Sequence, residues 1–422
     1  MKFVALGQIR QIYGLIVRME KKSAAHILNV APKTAYPILF AICFAHLLND
    51  LQQSVIPSVY PLLKESYHLT FTQIGLITFT FQITASLLQP FIGFQTDKKP
   101  RPFSLAAGML FTLTGLIFLT FSSNFYGILL SVGLVGIGSS IFHPEASRVA
   151  YLASGGKRGL AQSIFQLGGN VGSAVGPLLV ALVIVVYGQT YILLFTAASV
   201  LAIIVLLKIG SWYRNHLNLR AAGKIVHDEV QPLLPRKKVI FSISILLVLI
   251  FSKYFYSAGL SSYFTFFLID KFNLSVQDSQ LYLFTYLAAV AAGTLLGGPL
   301  GDRFGRKYII WFSILGTAPF ALMLPYANLF WTGILVVIIG FILSSAFSAI
   351  LVYAQELLPG KVGMVSGLFF GFAFGMGGLG SAILGYVADQ TGIQYVFKIC
   401  AFLPLMGIIT AFLPNIRKPK KA

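Results

Sequence analysis

Two side chains of opposite charge stand out in this 422-residue chain, because each interrupts a long apolar stretch. Asp50 lies about midway along the stretch 36–62, and Lys253 lies about midway along the stretch 239–269. An ionisable group near the centre of a bilayer is costly and is a candidate for function by default. A buried carboxylate can take up and release a proton, and an ammonium group can hold an anion as a point charge. The two residues therefore predict proton coupling at Asp50 and binding of an anionic substrate at Lys253, with a static ion pair between them as the alternative.

A second proton-coupling candidate is Glu145, which can pair with Arg148 because the two lie three residues apart on a helix. His46 and Tyr256 lie one turn from the two buried charges, so each should share a helix face with one of them. His143, which precedes a proline, is interpreted as a structural hydrogen-bonding residue. The substrate-binding candidates besides Lys253 are therefore Tyr256, Arg148, His46, Gln82 and Gln166. The alternatives are a helix-end ion pair for Glu145 and Arg148, and packing or interhelical hydrogen bonds for the rest.

Twelve apolar stretches surround these residues, and about 20 residues are enough to span a bilayer. Their approximate bounds are 36–62, 73–95, 103–121, 125–147, 159–187, 190–210, 239–269, 279–300, 308–326, 329–354, 362–388 and 393–413. Lipid cannot satisfy loose backbone groups, so each stretch should be a helix. The predicted fold class is an all-α membrane protein with twelve transmembrane helices.

The charge of the chain supports this class and gives an orientation. The chain has 31 Lys and Arg residues but only 12 Asp and Glu, a net charge of +19, and 57% of its residues are hydrophobic. Nearly all basic residues lie in the tails and in the alternate connections that face one side. Cytoplasmic loops are enriched in Lys and Arg, so both termini are predicted to be cytoplasmic. This distribution excludes nucleic acid as the reason for the charge and favours contact with anionic membrane lipids.

The N-terminal tail, 1–35, lacks the apolar run of a secretory signal. Its residues 3–18 are either a short amphipathic surface helix or an extension ahead of a start at Met19. The two cysteines lie within predicted helices and are interpreted as packing residues, so neither a disulfide nor a metal site is expected.

The chain divides into two similar halves. The polar stretch 211–238 separates a predicted six-helix bundle at 36–210 from another at 239–413, and 414–422 is the C-terminal tail. Three features recur in both halves at nearly one offset: the buried charges, a Gly-x-x-x-Asp motif (Gly93 and Gly298), and glycine rows at Gly168, Gly172 and Gly176 and at Gly367, Gly371 and Gly375. The glycine rows predict close helix packing. A parallel repeat of six-helix halves is typical of transporters whose halves rock around a midplane site.

The repeated motif places a carboxylate next to basic residues at the predicted cytoplasmic helix ends. Such groups can form charge-assisted hydrogen bonds between helices, and bonds that exist in one conformation bias a two-state equilibrium. The gating candidates are Asp97, Asp302, Arg303, Arg306 and Glu356. The alternative is a solvated turn whose basic residues only set topology. In the first copy, Pro100 and Pro102 stand in place of a glycine and a basic residue, so this copy departs from the full motif.

The motif from Gly298 to Lys307 resembles the signature loop of the major facilitator superfamily. Five further stretches are similar to the fosmidomycin-resistance exporters of that superfamily: His46–Asp50, Phe142–Arg148, Gly159–Gln166, Phe251–Tyr256 and Tyr353–Pro359. The resemblance implies a proton-coupled antiporter that exports the phosphonate antibiotic fosmidomycin or related small anions by alternating access. It also implies a bacterial inner-membrane location, antibiotic resistance and no cofactor beyond the proton gradient. We expect a monomer.

Other functions stay open on physical grounds. A symporter that takes up an organic anion or a phosphorylated metabolite would need the same buried charges, because direction depends on which states bind the proton and the substrate. A membrane enzyme or a receptor is less favoured. The sequence has no metal-binding spacing, no nucleophile motif and no phosphate-binding loop, and it has no sizeable polar domain.

Overall fold

The computed structural model describes residues 33–59, 63, 66–69, 71–222 and 234–416, and this part of the chain is nearly all helical. The first half contains seven long helices: α1 (Tyr36–Ser58), α2 (Phe71–Leu87), α3 (Gln89–Lys98), α4 (Ser104–Phe121), α5 (Phe125–Ala153), α6 (Arg158–Leu179) and α7 (Leu193–Ala221). A π-helical turn, Val180–Ile184, continues α6. The predicted surface helix at 3–18, the centre of the linker and the end of the C-terminal tail lie outside the described residues.

The second half is also helical, but its helices are interrupted at other places. Its helices are α8 (Arg236–Phe272), α9 (Val276–Phe304), α10 (Arg306–Leu315), α11 (Ala318–Met323), α12 (Leu329–Ser344), α13 (Ala346–Leu357), α14 (Val362–Thr391) and α15 (Ile393–Cys400). Two 3₁₀ segments, Leu324–Tyr326 and Leu403–Phe412, extend α11 and α15. The all-α prediction is confirmed.

Eleven helical segments of the described chain are long and apolar enough to cross a membrane. The predicted span 159–187 is helical but is not among the eleven. Helix α7 continues to Ala221 instead of ending at 210, and α8 begins at Arg236. Helices therefore extend into both ends of the predicted connection 211–238.

The outer surface of the bundle is apolar. Large hydrophobic side chains are exposed on it from both halves, including Phe40, Phe79, Phe91, Tyr126, Phe241, Phe330 and Phe412. Apolar exposure on this scale marks a membrane or partner surface. Since it covers the sides of helices long enough to span a bilayer, it faces lipid.

One end of the bundle, here called the basic end, holds the end of α3, the start of α6, the end of α9 and the start of α14. Both described chain ends lie there. The Ala35 N–H donates to the carbonyl oxygen of Ala153 (2.9 Å), and the Tyr353 hydroxyl donates to that of Pro414 (2.6 Å).

The buried apolar side chains form three clusters that show how the halves meet. The largest joins both halves and includes Leu39, Phe165 and Phe369. A second cluster, around Val55, draws its described residues from the first half, and a third, around Phe264, draws them from the second half. The halves therefore share one core towards the basic end and have separate cores towards the opposite end.

The two glycine rows pack helices closely, but at different interfaces. A Cβ at Gly168 or Gly172 would overlap a backbone oxygen of α1, so the first row packs α6 within its own half. A Cβ at Gly367 or Gly371 would overlap a backbone oxygen of α2 or α3, so the second row packs α14 against the other half. At Gly375, no atom of another described helix lies within 4 Å of the position that a Cβ would take.

Candidate functional site

Lys253 lies in a cavity of about 180 Å³ between the two halves. The cavity is lined from α6, α8, α9, α12 and α13 by Gln166, Asn170, Lys253, Tyr254, Ser257, Ser261, Tyr286, Leu287, Val290, Thr294, Gly340, Leu343, Ser344 and Phe347. Most of the lining polar groups are hydroxyls or amides. The halves meet across it, because Asn170 Nδ2 donates to Thr294 Oγ1 (2.9 Å).

The ammonium group of Lys253 has no carboxylate partner in the described part of the chain. Its Nζ lies 5.3 Å from the ring centre of Tyr254 and 5.5 Å from that of Phe347, and only 6% of the residue is exposed. The Gln166 Oε1 is buried without a hydrogen-bond partner. A buried cation without a carboxylate partner among the described residues is suited to an anion, which would supply the missing charge.

Tyr256 does not share this cavity, which contradicts the prediction from its spacing to Lys253. Its ring is buried against α15, where it borders a small void beside Cys400, and its hydroxyl has no partner. The cavity face of α8 instead carries Tyr254, Ser257 and Ser261. Lys253 lies at the edge of that face. Its neighbour in the cavity is therefore Tyr254 and not Tyr256.

Asp50 pairs with two histidines and not with Lys253. Its Oδ2 lies 3.3 Å from His46 Nε2, and its Oδ1 lies 3.6 Å from His143 Nε2. Asn49 Nδ2 also donates to Oδ1 (2.9 Å). His46, predicted as a substrate ligand, is therefore part of the Asp50 group. His143, which sequence reasoning treated as structural, belongs to it as well.

These three side chains, here called the His–Asp–His triad (His46, Asp50 and His143), come from α1 and α5. Their ligand atoms all lie within 4.8 Å of one another, a separation that a metal ion could also bridge. The sequence spacing gave no sign of this group, because His143 is remote from the other two along the chain. The helical spacing of His46 and Asp50 was the one available signal.

At the basic end, Asp97 holds the start of α14. Its carboxylate accepts hydrogen bonds from the N–H groups of Gly363 (3.0 Å) and Met364 (2.8 Å). Arg148 Nη2 lies 2.6 Å from the same carboxylate. A helix N-terminus has unpaired N–H groups and a positive dipole end, so a carboxylate there is stabilising.

Asp302 forms the same contact in the opposite direction. Its carboxylate accepts from the N–H groups of Gly159 and Leu160, both at 3.1 Å, at the start of α6. Arg306 Nη2 lies 3.0 Å from it. Each half therefore supplies one carboxylate to a helix N-terminus of the other half, as the repeat predicts.

Glu356 adds an ionic contact between the halves, because its Oε1 lies 3.1 Å from Arg158 Nη1 and 3.2 Å from Arg306 Nη2. Arg303 lies in the same region. Its guanidinium lies 5.3 Å from the ring centre of Phe304 on its own helix and borders a cavity of about 800 Å³ at the basic end.

Glu145 and Arg148 lie in this same region and not beside Lys253. Glu145 Oε1 pairs with Arg148 Nη1 (3.1 Å), and Ser104 donates to its Oε2 (3.2 Å). Arg148 also donates to the carbonyl oxygens of Thr96 (2.5 Å) and Gly93 (3.2 Å). The structure thus places Arg148 between α5 and α3, and not among the residues that line the Lys253 cavity.

Gln82, the remaining predicted ligand, lies on α2 opposite Gly378 of α14 and is not among the residues that line the Lys253 cavity. Of the predicted substrate ligands, the structure brings together Lys253 and Gln166. Asn170, Tyr254, Ser257 and Thr294 are lining residues that the sequence did not single out.

Backbone contacts complete the closure of the basic end. A Cβ at Gly93 would overlap the Gly363 carbonyl oxygen, and a Cβ at Gly159 would overlap that of Gly298. Ser163 Oγ accepts from the Gly298 N–H (2.9 Å), and the Ser147 and Ser366 hydroxyls lie 3.0 Å apart. We call this set of contacts, together with Asp97, Asp302 and Glu356, the seal. It closes the Lys253 cavity off from the basic end.

Solved structures with this architecture include a variant of the E. coli fucose:proton symporter FucP and the human organic anion transporter MFSD10. The TM-scores are 0.70 and 0.73, at 13% and 18% identity; each match covers 91% of this chain and all of the other. The sequence model of the Major Facilitator Superfamily matches residues 42–284 and 246–422. The chain belongs to the major facilitator superfamily.

Two relatives are close in sequence to this major facilitator. It is 61% identical over 385 residues to the fosmidomycin resistance protein of E. coli strain K12, covering 91% of this chain and 94% of the relative. It is 44% identical over 387 residues to the uncharacterized transporter YfnC of Bacillus subtilis, with the same coverage. The chain is therefore a multi-pass membrane transporter and not an enzyme, which confirms the family and function class expected from the sequence.

Proposed function

We propose that this transporter exports a small anion of the phosphonate class, such as fosmidomycin, in exchange for protons across a bacterial inner membrane. The observation that carries the proposal is the ammonium of Lys253, which has no carboxylate partner among the described residues and lies in a cavity between the halves. A phosphonate would supply the missing negative charge, and the hydroxyl and amide groups around it would donate to its oxygens. The 61% identity to a fosmidomycin resistance protein supports this substrate and this direction.

The geometry supports an alternating-access cycle. With both termini in the cytoplasm, the basic end is the cytoplasmic end, and the sealed conformation faces outward. The 36–210 and 239–413 bundles would move as units, separating the carboxylates of Asp97 and Asp302 from the helices they cap. Since one chain supplies both sides of the cavity, a monomer suffices. The proton gradient is the energy source, so no cofactor is needed.

The test is uptake of labelled fosmidomycin into everted membrane vesicles with an imposed pH gradient. An exporter that exchanges substrate for protons should accumulate fosmidomycin when the lumen is acidic, and a protonophore should abolish the accumulation. Unlabelled phosphonates should compete better than carboxylates of equal size. Accumulation only when the outside of the everted vesicle is acidic would instead indicate a symporter, and no accumulation under either gradient would refute proton-driven transport of this substrate.

Tyr254 and Tyr256 offer a matched pair for locating the substrate. Tyr254→Phe should weaken fosmidomycin binding, by roughly tenfold, because a lost hydrogen bond to a charged ligand costs about 1.5 kcal/mol or more. Tyr256→Phe should leave binding unchanged, since its hydroxyl has no partner and borders another void. Binding to purified protein can be measured by calorimetry. The reverse order of effects would place the substrate on the other face of α8.

A further inference from the structure

We propose that the His–Asp–His triad, and not Asp50 alone, is the proton carrier, with the exchanged proton held as a histidinium paired to the Asp50 carboxylate. This inference rests on the proposed proton exchange and names its site. It adds His143 and His46 as proton-binding residues. It also links substrate binding to proton binding through α6, without a contact between Lys253 and Asp50.

The Nδ1 atom of each imidazole in the triad is already committed as a hydrogen-bond donor. His46 Nδ1 lies 2.7 Å from the carbonyl oxygen of Phe165, and His143 Nδ1 lies 3.0 Å from that of Ser139. A carbonyl oxygen can only accept, so both Nδ1 atoms carry a hydrogen. The Ser139 hydroxyl does not compete for His143, because it donates to Gln53 Oε1 (3.0 Å). In a neutral ring, Nε2 is then an acceptor.

Both Nε2 atoms face the Asp50 carboxylate. They lie 3.3 Å and 3.6 Å from the two oxygens of Asp50 and have no other hydrogen-bond partner. With neutral rings and an ionised Asp50, two imidazole acceptors would face a carboxylate to which, among the described side chains, the Asn49 amide donates. Acceptors that face each other in this way are unfavourable in a buried site. A proton that binds either Nε2 forms an N–H bond and turns this repulsion into a charge-assisted hydrogen bond. The triad can take up one proton in this way, and a second on the other ring.

Among the described residues, aromatic side chains separate the triad from other charged groups. Phe142 and Phe165 lie against His46, and Phe370 and Phe374 of α14 lie against His143. On α5, Glu145 and Arg148 pair with each other at the basic end. On α1, Cys43 lies beside Gly168 of α6, and Lys253 faces the cavity across that helix.

Access to the triad is uneven. The Asp50 side chain is 16% exposed, whereas those of His46 and His143 are 3% and 1% exposed. A proton would therefore enter and leave through the carboxylate and be held on a ring.

Helix α6 borders both the triad and the Lys253 cavity. On one face of α6, the Phe165 carbonyl holds His46, and a Cβ at Gly169 would lie 2.5 Å from His46 Nε2. On another face, Gln166 and Asn170 line the Lys253 cavity. A substrate that displaces α6 from the cavity side therefore changes the contacts that orient His46. Substrate and proton can influence each other through this helix without sharing a charge partner.

The experiment compares the double variant His46→Gln/His143→Gln with wild type and with the control His216→Gln on α7, all as purified full-length chains in liposomes. Two assays are run: exchange of labelled for unlabelled fosmidomycin without a gradient, and accumulation driven by a pH gradient. The double variant should retain exchange within about threefold and lose gradient-driven accumulation at least tenfold. The control should match wild type in both assays.

Accumulation at the wild-type level in the double variant would overturn the triad while leaving the proposed function intact. Failure of wild type itself to accumulate substrate would refute the proposed function instead. Should the double variant not fold, histidine-selective ¹⁵N spectra of wild type give an independent answer. At least one ring should show the ¹⁵N signature of a histidinium, and that signature should be lost in Asp50→Asn. Rings that stay neutral throughout, or a stoichiometric co-purified metal lost on His143→Gln, would contradict proton storage.

Discussion

Replacing Lys253 with methionine should abolish fosmidomycin resistance and at the same time raise the melting temperature of the protein. Methionine keeps the length of the side chain and removes its charge. The bound anion would lose its charged partner in a desolvated cavity, and truncation of such a pair costs about 2–5 kcal/mol. That cost corresponds to a loss of binding affinity of roughly 30-fold or more.

The opposite effect on stability follows from the same geometry. In the substrate-free protein, the ammonium is buried and has no carboxylate partner among the described residues, so it lowers the free energy of unfolding. Removing the charge relieves that cost, and the melting temperature should rise by on the order of a few degrees. Loss of function through misfolding would instead lower the melting temperature.

Lys271 provides a matched control at the far end of the same helix. Its Nζ donates to the carbonyl oxygens of Pro325 (2.7 Å) and Ala327 (2.8 Å), away from the cavity. Lys271→Met should therefore keep fosmidomycin affinity and lower the melting temperature slightly. Calorimetric titration and thermal unfolding of both purified variants measure these outcomes. Unchanged affinity in Lys253→Met would remove the anchor role from this lysine.

The repeat in the sequence predicts where the two buried charges lie, but not what they contact. Equivalent positions in the two halves give Asp50 and Lys253 similar depths. Their partners depend on how each helix is rotated about its axis and on which neighbour it meets. His143 reaches Asp50 from α5, and no spacing along the chain connects positions 143 and 50.

The same limit explains the result for Tyr256. Helical periodicity identifies residues that share a face, but a cavity takes only part of a face, and its edge is set by tertiary packing. The helix count and fold class are a different case. They depend on the length and apolar character of each segment, which are local properties of the sequence.

The seal shows a limit of motif reading. Pro100 and Pro102 make the first copy of the motif look degenerate, yet Asp97 caps α14 as Asp302 caps α6. The cap needs only a carboxylate and a free helix N-terminus. The guanidinium that Arg306 gives to Asp302 is supplied to Asp97 by Arg148 from another helix. Asp97 thus has a guanidinium partner that comes from outside the motif.

The double variant Asp97→Asn/Asp302→Asn should open the basic end. Asparagine removes the charge and places an amide N–H₂ where an acceptor is needed, so each cap loses hydrogen bonds worth about 1.5 kcal/mol or more. The two caps lie at different interfaces, so their effects should nearly add. A total of roughly 3 kcal/mol shifts the equilibrium between sealed and open conformations by about 100-fold. Each single variant should produce about half of this free-energy change.

Ser366 is the position for measuring this opening, because it is fully buried in the seal beside Ser147 and Gln355. Ser366→Cys is introduced with both native cysteines replaced by alanine, and an impermeant thiol reagent is added to everted vesicles. Labelling of the double variant should be at least tenfold faster than that of its parent. Added fosmidomycin should change the rate, because the substrate binds the two conformations differently.

Asp278→Asn is the control for a carboxylate at a helix N-terminus outside the seal. Asp278 lies in the first turn of α9 at the opposite end and accepts from the Ser275 hydroxyl (2.7 Å). Its substitution should leave the labelling rate of the Ser366→Cys protein unchanged. Equal labelling in the double variant and its parent would mean that the glycine contacts at Gly93 and Gly159 hold the basic end closed without the carboxylates. Faster labelling with intact affinity for fosmidomycin would assign Asp97 and Asp302 to the conformational equilibrium and not to the substrate site.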